Sequence, residues 1–151
     1  MERKMPCLSG LPRAGSTLLA ALLKQKPRFH AGMSGPVAGI FNTLLGEMSG
    51  RNEFSVFITD EQRKRVLMGL FENFYGQEFP QEVIFDTNRL WCTKLPQLHK
   101  LMPGSKIIGC VRHVGWVIDS VERLVRANTF QPSSIFNYQP GGPAYARPDG
   151  L

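Results

Sequence analysis

The sequence lacks the features that mark a membrane protein, a zinc module or a disulfide scaffold. No stretch approaches the ~18 consecutive apolar residues that a spanning helix requires. The first ten residues, MERKMPCLSG, are basic but carry no apolar run of signal-peptide length, so a cytoplasmic location without membrane attachment is expected. Cysteine is scarce. Cys7, Cys92 and Cys110 make an odd count, with no CxxC and no clustered His/Cys pattern, which predicts buried reduced thiols and no metal site. Acidic residues are almost missing from the start: among the first 28 residues only Glu2 opposes Arg3, Lys4, Arg13, Lys24, Lys26 and Arg28. With a net charge of +6, that concentration favours an anionic ligand. No basic patch interleaved with aromatics and no helix-turn-helix or zinc-finger spacing appears, so a polyphosphorylated small molecule fits better than nucleic acid.

What the chain does contain is ordinary globular material. Its 151 residues are 42% hydrophobic and 20% charged, enough for one compact domain with a core. MPCLSG (5–10) reads as a buried strand running into a loop. STLLAALLKQ (16–25) follows as a helix, its leucines at helical spacing and Ser16 or Thr17 available as its cap. A second helix is expected over 34–48, begun by Ser34 and Pro36 and weakened by Gly39 and Gly46. Thr59 and Gln62 form a capping-box pattern ahead of a third helix. Its apolar stripe is Val66, Leu67, Leu70, Phe71 and Phe74, and Arg63, Lys64 and Arg65 form its solvated face.

EVIFD (82–86) and KIIGCV (106–111) read as buried strands. Between them TKLPQLHKLMPG (93–104) reads as a helix with Pro96 in its first turn, and VGWVIDSVERLVRAN (114–128) closes the series as an amphipathic helix. Strands alternating with helices predict a three-layer α/β/α fold around a parallel sheet. The expected domain spans 1–128. Residues 129–151, with four prolines and three glycines, predict an irregular C-terminal segment. The chain stops there without a closing element, which suggests a truncated or fragment sequence.

The chemistry concentrates in GLPRAGSTLL, residues 10–19. Gly10 and Gly15 have the spacing of a phosphate loop, in which backbone N–H groups and a helix N-terminus converge on an anion. The lysine that a nucleotide triphosphatase places after the second glycine is absent, and Ser16 stands there. Arg13 puts a cation on the loop itself, where its planar fork can hold an oxyanion.

Pro12, Arg13, Ala14, Gly15, Ser16 and Thr17 resemble the 5′-phosphosulfate loop of sulfotransferases that use 3′-phosphoadenosine 5′-phosphosulfate (PAPS) as donor. That family also carries a 3′-phosphate site, an arginine at a strand end and a serine eight residues later. KIIGCVRHVGWVIDSVERL supplies Arg112 and Ser120 at that separation. The resemblance covers roughly residues 5–128. It implies the N-terminal part of a P-loop-like sulfotransferase fold, with sulfuryl transfer to a hydroxyl or amine on a small-molecule, carbohydrate or peptide acceptor, and no metal. Arg13 would stabilise charge on the transferring group. The chain departs from the family in the residues after Arg112, where His113, Val114 and Trp116 stand; the family's late basic glycine-rich loop is not present, either because the chain is cut before it or because this branch does without it.

An acceptor hydroxyl requires a general base. Asp86, at the end of VIFD, is the first candidate; a cap or an ion-pair partner for Arg89 is the alternative reading. His30 comes second, while His113 and His99 suit loop and surface roles, and Trp91 and Trp116 suit packing. A P-loop kinase with Asp86 near magnesium, or a sulfotransferase-like binding domain without turnover, are the competing readings.

Overall fold

A computed structural model describes residues 4–76 and 78–127. The expected irregular segment at 129–151 lies outside them. The described residues divide into two compact units, one of 4–10 with 15–110 and one of 11–14 with 111–127.

The first unit holds a four-stranded, all-parallel sheet in the order β2-β3-β1-β4, from β1 (Cys7–Gly10), β2 (Phe29–Ala31), β3 (Val83–Thr87) and β4 (Ile107–Cys110). Side chains alternate across such a sheet. Leu8 and Phe85 face one side, where Ala20, Leu19 and Leu23 of helix α1 (Ser16–Lys24) cover them. Cys7 and Ile84 face the other. There they pack with Phe41 of α2 (Val37–Glu47), Leu67 and Phe71 of α3 (Asp60–Phe74), Leu98 and Leu101 of α4 (Leu95–Leu101), and Trp91. The result is the expected α/β/α layering. Gly10 permits β1 to lie close against β4: a Cβ there would lie 2.5 Å from the Cys110 carbonyl oxygen.

The capping box forms as expected. Thr59 Oγ1 accepts from Gln62 N at 3.2 Å, and Gln62 Oε1 accepts from Thr59 N at 2.8 Å. Arg63 departs from the solvated face predicted for it. Its guanidinium donates to the Met48 and Ser55 carbonyls and to Asp60, tying α3 to the 3-10 turn Glu53–Phe57. Val66 of the expected stripe is exposed, because Leu67 and Phe71 take the inner positions.

Strand β2 was not expected: FHA is too short to show a period and follows α1 after a brief turn. β4 is not the buried strand its apolar run suggests. Among the described residues it pairs with β1 alone; Ile108 is exposed, and Val111 lies beyond its end. Of the three free thiols only Cys7 is buried, with Cys92 exposed on the 3-10 turn Arg89–Thr93. No helix among the described residues is long and apolar enough to cross a membrane.

The second unit, in its described part, comprises residues 11–14 and helix α5 (Val114–Ala127), with the connection from Val111. Val117 and Ser120 are the buried residues of α5. Trp116 is exposed, against the packing role expected of it.

Candidate functional site

In the first unit, β1 ends at Gly10 and α1 begins at Ser16, at the carboxyl end of a parallel sheet, where α/β folds bind ligands. The expected capping by Ser16 or Thr17 does not occur. Gly15 occupies the cap position in the left-handed region, at φ 103°, and no side chain caps the helix. Glycine adopts that conformation without the penalty a Cβ brings. Ser16 and Thr17 thereby fall inside the first turn. The first N–H groups of α1 have no intrahelical acceptor, and the helix dipole adds partial positive charge at that end. A Cβ on Gly15 would meet nothing within 4 Å, so the helix start has open space beside it.

In the second unit the structure brings together residues that lie about a hundred positions apart in sequence. Arg13 Nε donates to Ser120 Oγ at 2.9 Å, and Arg112 Nη1 donates to the Arg13 carbonyl oxygen at 3.0 Å. Arg13 is the only non-glycine among the described residues with positive φ, at 67°. Such a conformation costs about 1 kcal/mol or more and persists where surrounding contacts hold it. Here the Arg112 bond holds the backbone and the Ser120 bond holds the side chain. A turn bond from Ala14 N to the Leu11 carbonyl at 3.1 Å completes the segment, with Pro12 inside it. Ser120 sits at the end of the second turn of α5, deeper than the helix start expected for it, and it is buried. The Arg13 and Arg112 side chains are exposed. Two guanidinium groups tied to one segment, beside a hydroxyl, form a cationic cluster suited to phosphate or sulfate oxygens.

Asp86 is not placed as a base. It lies within β3 rather than at its end, only 2% exposed, and both carboxylate oxygens are engaged. Tyr75 Oη donates to Oδ2 at 2.6 Å and Trp91 Nε1 donates to Oδ1 at 3.0 Å. Gly35 closes over it: a Cβ there would lie 3.4 Å from Oδ1. Burial pushes the Asp86 carboxyl above its ordinary value, against the pull of the two hydrogen bonds and of His30. The same burial, reinforced by Asp86, raises the Tyr75 phenol and lifts the Cys7 thiol to about 12. Asp86 is thus a core carboxylate that ties β3 to Tyr75 and to the turn after the strand. Asp86 falls on the expected strand, one residue before its end, and its two donors lie on other elements that carry no local sequence signal.

Among the histidines, His30 lies on β2 with its ring 4.3 Å from the Phe79 ring. Partial burial, and then Lys24, lower its pKa, while Asp86 opposes them. His113 Nδ1 accepts from Gly115 N at 3.2 Å, which shapes the start of α5 as expected. His99 falls in the last turn of α4. A group the sequence did not single out is Thr87, the last residue of β3, buried and without a hydrogen-bond partner for its hydroxyl among the described residues.

An all-parallel four-stranded sheet with helices on both faces is consistent with a P-loop-like α/β fold. The family model described as "Sulfotransferase family" matches residues 7–145, and the chain belongs to that family. No curated protein matches the chain.

Proposed function

We propose that the chain uses PAPS as donor and transfers its sulfuryl group to a hydroxyl or amine acceptor, in the cytoplasm. The observation that carries this reading is the Arg13–Ser120 hydrogen bond at 2.9 Å, with Arg112 bonded to the Arg13 carbonyl at 3.0 Å. The two motifs that together suit a doubly phosphorylated nucleotide are in direct contact, and each supplies a cation. Family membership supports sulfotransfer in general; the donor is inferred from these residues.

In this reading Gly15, Ser16 and Thr17, with the first amides of α1, hold the 5′-phosphosulfate, and Pro12, Arg13 and Ala14 shape the cationic side of the loop. Arg112 and Ser120 hold the 3′-phosphate. The donor, when bound, supplies the sulfuryl group and leaves as adenosine 3′,5′-bisphosphate. Arg13 stabilises the negative charge that grows on the bridging oxygen; loss of one such donor costs on the order of 10²–10³ in rate. The acceptor proton is taken by a group other than Asp86, whose oxygens are already committed. A kinase reading is disfavoured by the same geometry, because a Walker-type aspartate has to present an oxygen toward magnesium, and by Ser16 in place of lysine.

The test is calorimetric titration with adenosine 3′,5′-bisphosphate in the absence of magnesium. Wild type should bind. Arg112→Ala should weaken binding by roughly ten- to a hundredfold, the range of one hydrogen bond to a charged group. Binding of magnesium–adenosine triphosphate with none of the bisphosphate would overturn the donor assignment. Bisphosphate binding without turnover of any acceptor would instead support the binding-domain reading.

A further inference from the structure

Thr87 is the last residue of β3, 4% exposed, with its hydroxyl sealed from water and without a hydrogen-bond partner among the described residues. Buried polar groups are almost always satisfied, and one left alone carries a desolvation cost. The backbone around it is in order: Gly35 N donates to the Thr87 carbonyl at 2.9 Å, and Asn88 N donates to the Leu8 carbonyl at 3.0 Å. Only the side chain is unanswered.

The strand's alternation fixes which way that side chain faces. Asp86 bonds Tyr75 and Trp91 in the cluster beneath α2 and α3. Phe85 belongs to the opposite cluster, with Leu8 and with Ala20 of α1. Thr87 therefore shares the α1 face with Phe85, one step nearer the carboxyl end of the sheet. Its register partner is Leu8 on β1, two residues before Gly10. Thr87 thus lies on the α1 face at the carboxyl end of β3, the end of the sheet at which α1 begins.

We infer that Thr87 is a ligand-contacting residue of the loop, its hydroxyl donating a hydrogen bond to a non-bridging oxygen of the nucleotide's 5′-phosphate. The inference rests on the donor reading given above. Three features converge on it: amides at the helix start with no side-chain cap among the described residues, open space beside Gly15, and a buried hydroxyl with no partner among those residues. The amides approach the anion from the helix, and Thr87 approaches it from the sheet. The hydroxyl is covered in this structure, so an arriving oxygen has to take the place of the atoms that cover it. Thr87 is in this view a hydroxyl kept out of water for an oxyanion, and so helps to select a phosphorylated 5′ end over a free ribose hydroxyl.

The test compares the full chain with Thr87→Val, which keeps the shape and removes the hydroxyl, and with Thr87→Ser, which keeps the hydroxyl. Melting temperature without ligand and affinity for adenosine 3′,5′-bisphosphate are read for each. Thr87→Val should melt no lower than wild type yet bind the bisphosphate about tenfold more weakly or worse, and Thr87→Ser should bind within a few-fold of wild type. Equal affinity of wild type and Thr87→Val overturns the inference and leaves the donor reading standing. A Thr87→Val protein that melts markedly lower overturns it too, since the hydroxyl then serves the fold. If wild type itself does not bind the bisphosphate, the donor reading fails and this inference falls with it.

Discussion

Replacing Asp86 separates a structural carboxylate from a catalytic one, and alanine and asparagine should behave very differently. Asp86→Ala removes the acceptor of both the Tyr75 hydroxyl and the Trp91 indole N–H, in a site closed by Gly35. Each buried donor that loses its acceptor costs about 1–3 kcal/mol, so about 2–6 kcal/mol is at stake against a typical total of about 5–15 kcal/mol. Asp86→Asn can keep the Trp91 bond through its carbonyl oxygen and donate its amide to the Tyr75 oxygen, which can accept. It should fall within about 1 kcal/mol of wild type near neutral pH. The pH dependence gives the sharper signature. The folded carboxyl lies above its ordinary 3.8, with burial the largest cause. Between 3.8 and that higher folded value the native state binds more protons than the unfolded state, so stability falls as pH rises through the window. The neutral Asn variant lacks this slope, and its stability relative to wild type should improve with rising pH until the folded carboxyl is fully ionised. Urea unfolding across that range measures it. Two results would refute the reasoning. One is an Asn variant with the same pH slope as wild type. The other is an Asn variant that is fully stable and binds nucleotide normally yet has lost turnover, which would restore Asp86 as the base.

Gly10→Ala should destabilise the sheet by more than about 2 kcal/mol, because the new methyl would lie 2.5 Å from the Cys110 carbonyl oxygen and β1 and β4 would have to part; denaturant unfolding reports it, and an unchanged midpoint would contradict the strand spacing. Thr59→Ala removes one half of the capping box and should cost about 1 kcal/mol. That cost should appear in unfolding experiments while leaving affinity for adenosine 3′,5′-bisphosphate unchanged, since α3 lies away from the loop in sequence and carries none of its residues.

What could be read from the sequence follows the range of the interactions involved. The α3 cap was legible because Thr59 and Gln62 recognise each other across three residues. The order of strands and helices was legible because each carries its own period. β2 was not, since three residues hold no period, and its place beside β3 depends on register rather than composition. Arg63 looked like one of three solvated cations, yet its partners are the carbonyls of Met48 and Ser55, a backbone address that no side-chain pattern encodes.

Asp86 and Thr87 make the same point on adjacent residues. From sequence, an aspartate ending an apolar run invites a catalytic role, and the threonine after it invites none. The fold separates them. Alternation sends Asp86 into the layer holding Tyr75 and Trp91, which satisfy both its oxygens, and sends Thr87 to the face of α1, where no described residue satisfies its hydroxyl. A buried carboxylate with both oxygens bonded is accounted for by the fold, whereas a buried hydroxyl at the carboxyl end of the sheet, without a partner among the described residues, is the observation on which the proposed phosphate contact rests. The contact of Arg13 with Ser120 belongs to a third kind: each residue was legible within its own motif, and only the folded chain shows that the two motifs meet.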